Sequence, residues 1–265
     1  MALQYDLIAL DVDGTLLTDD HQLTVKTREA VREAAERGAG IVLCTGRAPV
    51  SVFPVLEELG LSGTIITHNG GATIDSDTKT IIHQYEIAPQ QLEPFVAYCR
   101  TNKIHFDINT AFEMMVESLT PELTDMYTKF HISPSVLGHG ANLPKGLVKF
   151  TIFGDKETVD RVQMDWEQWP PTLLTIRSGD FFIDVHHPEA SKGRALQQFA
   201  QSQGIERDRI LAIGNYYNDI SMLEFAGCGI AMGNSPDGVK DAADVVGRSN
   251  AEDGVAHALR EFAWS

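Results

Sequence analysis

The sequence predicts an α/β fold, a doubly wound parallel sheet with an α+β domain inserted into it. Three features carry that expectation. Short apolar runs alternate with helical stretches up to about residue 70, the alternation resumes after about residue 190, and the stretch between has a different texture. Residues 5–10 are an apolar run that ends at Asp11 and is closed by Asp13-Gly14-Thr15, the pattern of a buried strand. Residues 24–37 place Val25, Ala30, Val31 and Ala34 at helical spacing, with Gly38 as a stop. Gly40–Cys44 reads as the next strand, 50–59 as a helix, and Thr64–Thr67 as a strand ending at His68-Asn69-Gly70-Gly71. Strand and helix alternating through short loops give right-handed parallel crossovers, a Rossmann-like arrangement.

Near the C-terminus, 192–203 reads as a helix capped by Ser191, 209–213 as a strand ending at Gly214-Asn215, 219–225 as a helix and 227–232 as a strand. Ser249 and Glu252 have the spacing of a capping box ahead of the last helix. From about 83 to 187 the chain is richer in aromatic residues and Met, with strand candidates at 147–153 and 181–185 flanking a helical stretch at 157–166. The expected organisation is a core from 1–82 and 188–265 and an inserted domain at 83–187.

Composition narrows the function classes. Lys and Arg number 21 against 37 Asp and Glu, a net charge of −16. So acidic a surface repels phosphate backbones and anionic lipid, which argues against nucleic acid or membrane as partner. Any small anionic substrate must be drawn in by a local site. The three cysteines Cys44, Cys99 and Cys228 lie far apart with no C-x-x-C, as expected of reduced thiols in a cytoplasmic protein. No window reaches the roughly 18 apolar residues of a membrane span, and the start lacks a secretory pattern.

The polar motifs fall just past strand ends or at helix starts, where open α/β sheets bind ligands. Asp11-Val12-Asp13-Gly14-Thr15 places two carboxylates on one side of an extended segment before a sharp turn. A turn with capping aspartates has the same local sequence, but paired carboxylates at a strand end also suit Mg²⁺, which takes one or two carboxylates together with substrate phosphate. Thr45-Gly46-Arg47 offers a hydroxyl and free N–H groups after the second strand. Ser191-Lys192-Gly193 places an ammonium at a helix start, where a lone lysine would ordinarily be solvated. Gly214-Asn215-Tyr216-Tyr217-Asn218-Asp219 adds three polar groups at another strand end, where Asn218 or Asp219 could also cap the following helix.

In this order and spacing the motifs resemble the haloacid dehalogenase superfamily of phosphatases, and the roughly 100-residue insert resembles the type-IIB cap of its Cof-like branch. Asn69-Gly70 before the insert and the 229–236 segment after it resemble that branch too. The resemblance implies Asp11 as nucleophile, Asp13 as general acid and base, and Lys192 with Thr45, Gly46 and Asn218 around the phosphoryl group. It implies Mg²⁺ held by Asp11, Asp13, Asn215 and Asp219. It implies a cap that closes over the site and reads the leaving group of a small phosphorylated metabolite, in a monomer or weak homodimer. The sequence departs from the pattern at Asn215, where the family usually carries a metal-binding aspartate. That exchange removes a negative charge and keeps open a non-catalytic phosphometabolite-binding regulator, while a phosphomutase, which would keep Asp11 but return the phosphoryl to product, is a second enzyme reading. His186-His187 reads as a structural pair, since adjacent strand residues face opposite ways, and Met114-Met115 and Trp166/Trp169 read as core.

Overall fold

A computed structural model describes residues 4–129, 132–178 and 180–264. In chain order the elements are β1 (Leu7–Asp11), α1 (Val25–Glu36), β2 (Gly40–Cys44), α2 (Pro49–Leu59), β3 (Thr64–Thr67), β4 (Ala72–Asp75) and β5 (Thr80–Gln84). There follow α3 (Pro89–Asn102), β6 (His105–Thr110), β7 (Met114–Val116), α4 (Pro121–Lys129), β8 (Ser135–Val136), β9 (Leu147–Phe153), α5 (Lys156–Trp166), β10 (Leu174–Arg177) and β11 (Phe182–His186). The chain closes with α6 (Lys192–Ser202), β12 (Ile210–Gly214), α7 (Ile220–Phe225), β13 (Cys228–Ala231), α8 (Asp237–Lys240), β14 (Val245–Val246) and α9 (Gly254–Phe262). It divides into two compact units, 1–83 with 190–265, and 84–189.

The first unit is an eight-stranded sheet in the order β14-β13-β12-β1-β2-β3-β4-β5. The strands from β14 to β3 pair in parallel, and β4 turns back antiparallel on β3. Every residue of β1 and β12 is buried, as expected of central strands covered on both faces. Leu7, Ala9, Ile210 and Ala212 pack with Leu196 and Met222 of the covering helices. The chain leaves β1 toward β2 and β3 on one side and later fills β12, β13 and β14 on the other. Strand order thus reverses between β1 and β12, a topological switch point whose crevice lies at the C-terminal strand ends.

The second unit is a six-stranded sheet, β10-β11-β9-β6-β7-β8, with antiparallel pairing throughout its centre. Alternate residues sort by face. Phe106, Ile108, Phe150, Ile152, Ile183 and Val185 build a core with α3 and α5, while Asp107, Asn109, Lys149, Thr151 and Asp184 occupy the intervening positions. Trp166 and Trp169 stand edge-on to Phe95, with centroids 4.8 and 5.1 Å away, and so belong to the core as expected. Met115 is buried with them, whereas Met114 lines a pocket on the other side.

Boundaries differ from the sequence reading by a residue or two, with one physical exception. Ser249 and Glu252 do form a capping box, but around a 3-10 turn at Asn250–Glu252. Asp253 then takes a left-handed conformation (φ 55°) before α9 starts at Gly254. Asp253 is fixed there by Thr24 at 2.7 Å and Lys26 at 3.0 Å, a tertiary tie that overrides local capping.

Candidate active site

β1, β2 and β12 deliver Asp11, Cys44-Thr45 and Gly214 to one end of the sheet. Asp11 is 5% exposed, Lys192 1% and Asp219 0%. The Lys192 Nζ donates to Asp11 Oδ1 at 2.7 Å and to Asp219 Oδ1 at 2.6 Å. Ser191 caps α6 by accepting from the Arg194 N–H, which fixes where Lys192 begins its helix. Burial by itself would push the Lys192 ammonium down, but the charges of Asp11 and Asp219 outweigh it and hold the pKa above the ordinary lysine range. Burial, reinforced by the Asp219 charge, pushes Asp11 up to about 7 even with Lys192 beside it. One ammonium between two buried carboxylates leaves a net negative charge, so it is loss of the ammonium, which would leave both carboxylates uncompensated, that should cost about 3–5 kcal/mol. Two of the three ammonium hydrogens are used, so one donor remains for an anion.

Asp219 has both oxygens engaged within the protein. Its Oδ2 accepts from the backbone N–H groups of Asn215 at 2.8 Å and Tyr216 at 3.0 Å. It therefore organises its own loop, not the helix after it. Gly214 makes this possible, because a Cβ there would sit 2.6 Å from the Asp219 Cβ.

Asp13 lies at the mouth of the site, its carboxylate forked by Arg47, Nε to Oδ2 at 2.8 Å and Nη2 to Oδ1 at 2.5 Å. His21 Nδ1 is 3.4 Å from the same Oδ1. Thr45 is buried and accepts from the Arg47 N–H at 3.1 Å, while its carbonyl accepts from Asn69 N–H at 3.0 Å. The Asn69 side chain in turn accepts from Asn218 Nδ2 at 2.9 Å. Asn218 is thus tied to the Thr45 strand end by a residue that the motif reading left without a role. Arg47 likewise stood inside a quoted tripeptide with no role. The available signal was chemical: Asn-Gly after a strand tolerates the left-handed backbone that Asn69 adopts (φ 56°), and an arginine beside a paired-carboxylate motif finds a fork partner.

Asn215 completes the centre. Thr15 Oγ1 donates to its Oδ1 at 3.1 Å. With the carboxamide turned over, its nitrogen donates to the Asp13 carbonyl at 2.9 Å, Asp11 Oδ2 at 3.0 Å and Thr15 Oγ1 at 3.1 Å. One end of the Asn215 amide, the Asp11 carboxylate and the Asp13 carbonyl therefore converge on one another. In octahedral coordination at 2.0–2.1 Å, neighbouring oxygens lie about 3.0 Å apart, so these spacings match the edges of a Mg²⁺ coordination shell. Among the described residues no three His, Cys, Asp or Glu side chains gather to hold a metal. A carboxylate, a peptide carbonyl and a carboxamide are a sparse set of hard oxygen donors, suited to a cation that keeps waters and takes phosphate oxygens. The residues present fit Mg²⁺.

The second unit carries a pocket whose lining combines the polar side chains of Asp107, Tyr127, Lys149, Thr151 and Asp184 with the apolar ones of Met114, Met126, Ile132, Phe153 and Phe182. Lys149 Nζ lies 3.0 Å and Thr151 Oγ1 2.9 Å from Asp184 Oδ1. Asp107 accepts from Asn109 at 2.6 Å. Burial pushes Asp107 up to about 6, with Lys149 opposing. His186 is buried and His187 stacks on Tyr85 with centroids 5.7 Å apart.

A carboxylate and a lysine buried together at the switch point of a doubly wound sheet, beside hard oxygen donors, suit an α/β enzyme that handles an anion. The chain matches the model of the haloacid dehalogenase-like hydrolases over residues 8–259. It is 34% identical to YxeH of Bacillus subtilis, over 97% of this chain and 98% of that protein. It is 31% identical to YwtE of the same organism, a 5-amino-6-(5-phospho-D-ribitylamino)uracil phosphatase, over 96% of this chain and 97% of that one. The crystal structure of a haloacid dehalogenase-like hydrolase from Bacteroides thetaiotaomicron superposes with a TM-score of 0.85 at 30% identity, over 97% of this chain and 99% of the other. The chain belongs to this family and is a phosphatase. No helix among the described residues is long and apolar enough to cross a membrane.

Proposed function

We propose that this phosphatase works with Mg²⁺ through an aspartyl-phosphate on Asp11, and that its substrates are hydroxyl-rich phosphomonoesters such as sugar phosphates or phosphorylated cofactor precursors. The observation that carries the reading is the burial of Asp11 between Lys192 and the Asn215 amide at a strand end. Asp11, the Asp13 carbonyl and Asn215 would hold the cation. When bound it neutralises phosphate charge and acts as a Lewis acid on the phosphoryl group.

A carboxylate oxygen of Asp11 attacks phosphorus as the ester P–O bond breaks, and Asp13 gives a proton to the departing alkoxide. Water then loses a proton to Asp13 and attacks phosphorus, releasing inorganic phosphate and the Asp11 carboxylate. The remaining Lys192 hydrogen, the Thr45 hydroxyl and the Gly46 N–H face the growing negative charge of the transferring phosphoryl. Asn218, anchored through Asn69, keeps the loop against that end of the site. Asp219 is a positioning residue that holds the Lys192 ammonium and the Asn215 backbone. Arg47 orients the Asp13 carboxylate through a two-pronged fork until a substrate takes its place.

We assign the choice of leaving group to the second unit, which carries none of the residues proposed to handle phosphate and whose pocket offers carboxylates, hydroxyls and one ammonium beside an apolar lining. The YwtE substrate, which bears a ribityl chain, fits that chemistry.

Asp13→Asn tests the mechanism through the leaving group. With para-nitrophenyl phosphate, whose phenolate leaves unprotonated, one equivalent of nitrophenol should appear in a burst, followed by turnover slowed about 100-fold or more. With a sugar phosphate even the burst should vanish. Equal slowing of both phases for both esters would refute an acid and base role for Asp13. Release of free phosphate, not an isomeric ester, by the natural-sequence enzyme excludes a mutase.

A further inference from the structure

We propose that Asn215 is a two-position element: its carboxamide completes the active site with the nitrogen inward when no divalent cation is present, and with the oxygen inward when one is. The inference rests on the cation site read above and concerns what this chain does at that site where its sequence departs from the family pattern.

The protein groups alone favour the nitrogen-inward position, since the inner end of the amide faces acceptors and its outer end faces donors, and a cation would reverse that preference. Nitrogen inward, the amide is a donor to the Asp13 carbonyl (2.9 Å) and Asp11 Oδ2 (3.0 Å), two acceptors that otherwise face each other without a proton between them. Oxygen inward, the same end of the amide is an acceptor for the Thr15 hydroxyl (3.1 Å) and places a third oxygen beside those two, the arrangement a hard cation completes. Thr15 serves either position, because a hydroxyl both donates and accepts. The outer end of the amide is accommodated only because residue 14 carries no side chain. It lies against Gly14, whose backbone has φ 73°, and a Cβ there would come within 2.4 Å of Asn215 Nδ2. Asp219 anchors the Asn215 backbone through its N–H, so the switch is confined to rotation of the terminal amide.

An aspartate at 215 has no such second position. It would set a second carboxylate about 3 Å from Asp11 Oδ2, and two such charges do not both ionise comfortably without a cation. The carboxamide therefore trades cation affinity for a site that is internally satisfied without the cation. Metal binding becomes conditional, strongest when the phosphate of a substrate adds its own charge.

The decisive experiment compares the natural sequence with Asn215→Asp and Asn215→Ala by thermal unfolding in EDTA and in MgCl₂, with calorimetric titration of MgCl₂. It is joined by nitrogen-15 NMR of the Asn215 side-chain amide, assigned by its loss in the variants. In EDTA, Asn215→Asp should melt several degrees below the natural sequence and recover in MgCl₂, while the natural sequence shifts little. Mg²⁺ affinity should rise about tenfold or more in Asn215→Asp, and the amide resonance should move on saturation with MgCl₂. Should Asn215→Asp fold only with MgCl₂, the proposal stands in its strongest form, and Asn215→Ala supplies the EDTA comparison by melting below the natural sequence. Equal melting of Asn215→Asp and the natural sequence in EDTA, or an amide resonance unmoved at Mg²⁺ saturation, would overturn the two-position reading while leaving the cation site intact. No heat of Mg²⁺ binding and no shift in any of the three proteins would overturn the cation site as well.

Discussion

Asp11, the proposed nucleophile, sits in a tightly partnered environment. It is buried, shares Lys192 with Asp219, and has its second oxygen facing the Asn215 amide. Asp11→Asn keeps the shape and removes the nucleophile. It also relieves a buried net negative charge, so the variant should be at least as stable as the natural sequence while turnover falls below detection. Thermal unfolding and phosphate release measured on one preparation check both halves. Near-normal turnover would remove Asp11 from the mechanism.

At the scale of elements, α6 and β11 show how local structure sets behaviour. Ser191 caps α6 by accepting from the Arg194 N–H at 3.1 Å, while Asp11 and Asp219 hold the Lys192 ammonium. Ser191→Ala should cost about 1 kcal/mol of stability, a normal N-cap loss, read as a shift in urea midpoint. Lys192 should hold its position through its two carboxylates, so the catalytic rate should fall less than threefold.

In β11, His186 is 1% exposed, and burial pushes its pKa down to about 4 with the nearby Asp184 charge only partly opposing and Lys149 adding to the fall. The histidine is neutral in the folded chain and takes up a proton near pH 6.5 when unfolded. Its contribution is therefore complete above pH 6.5 and is lost as the pH falls toward 4, by at most about 3 kcal/mol. Urea unfolding at pH 7.5 and pH 4.5 should show the natural sequence losing more stability than His186→Gln over that interval. An equal loss in both would mean that protonation of His186 is not what weakens the fold in acid.

At the scale of the whole molecule, the substrate selection proposed for the second unit makes a kinetic prediction. All the residues proposed to bind or attack phosphate lie in the first unit, while the second contributes the pocket around Asp107, Lys149 and Asp184. Asp107→Asn keeps size and hydrogen bonding but removes an acceptor. It should lower kcat/KM for polyhydroxylated esters about tenfold while altering para-nitrophenyl phosphate turnover less than twofold. A panel of phosphomonoesters whose rank order is unchanged by Asp107→Asn would take that pocket out of substrate selection.

The sequence by itself determined the alternating strands and helices, the motif order, and the presence of an insert, because period and turn chemistry are local properties of the chain. Gly40–Cys44, Thr64–Thr67 and Leu147–Phe153 could be read to the residue, since each apolar run is bounded by residues that cannot continue it. Asp11, Lys192 and Asp219 were legible as candidates because they stand at strand ends and a helix start. What only the tertiary structure decided was who meets whom. That Asp219 spends both oxygens on Lys192 and its own loop, that Arg47 forks Asp13, that Asn69 tethers Asn218 and that Asp253 leaves the last helix to bind Thr24 and Lys26 all depend on partners up to 229 residues apart. Such pairings leave no periodicity to read. They exist because the sheet brings distant strand ends within hydrogen-bond reach, and the energy of a buried charge or amide is set by whatever that folding places beside it.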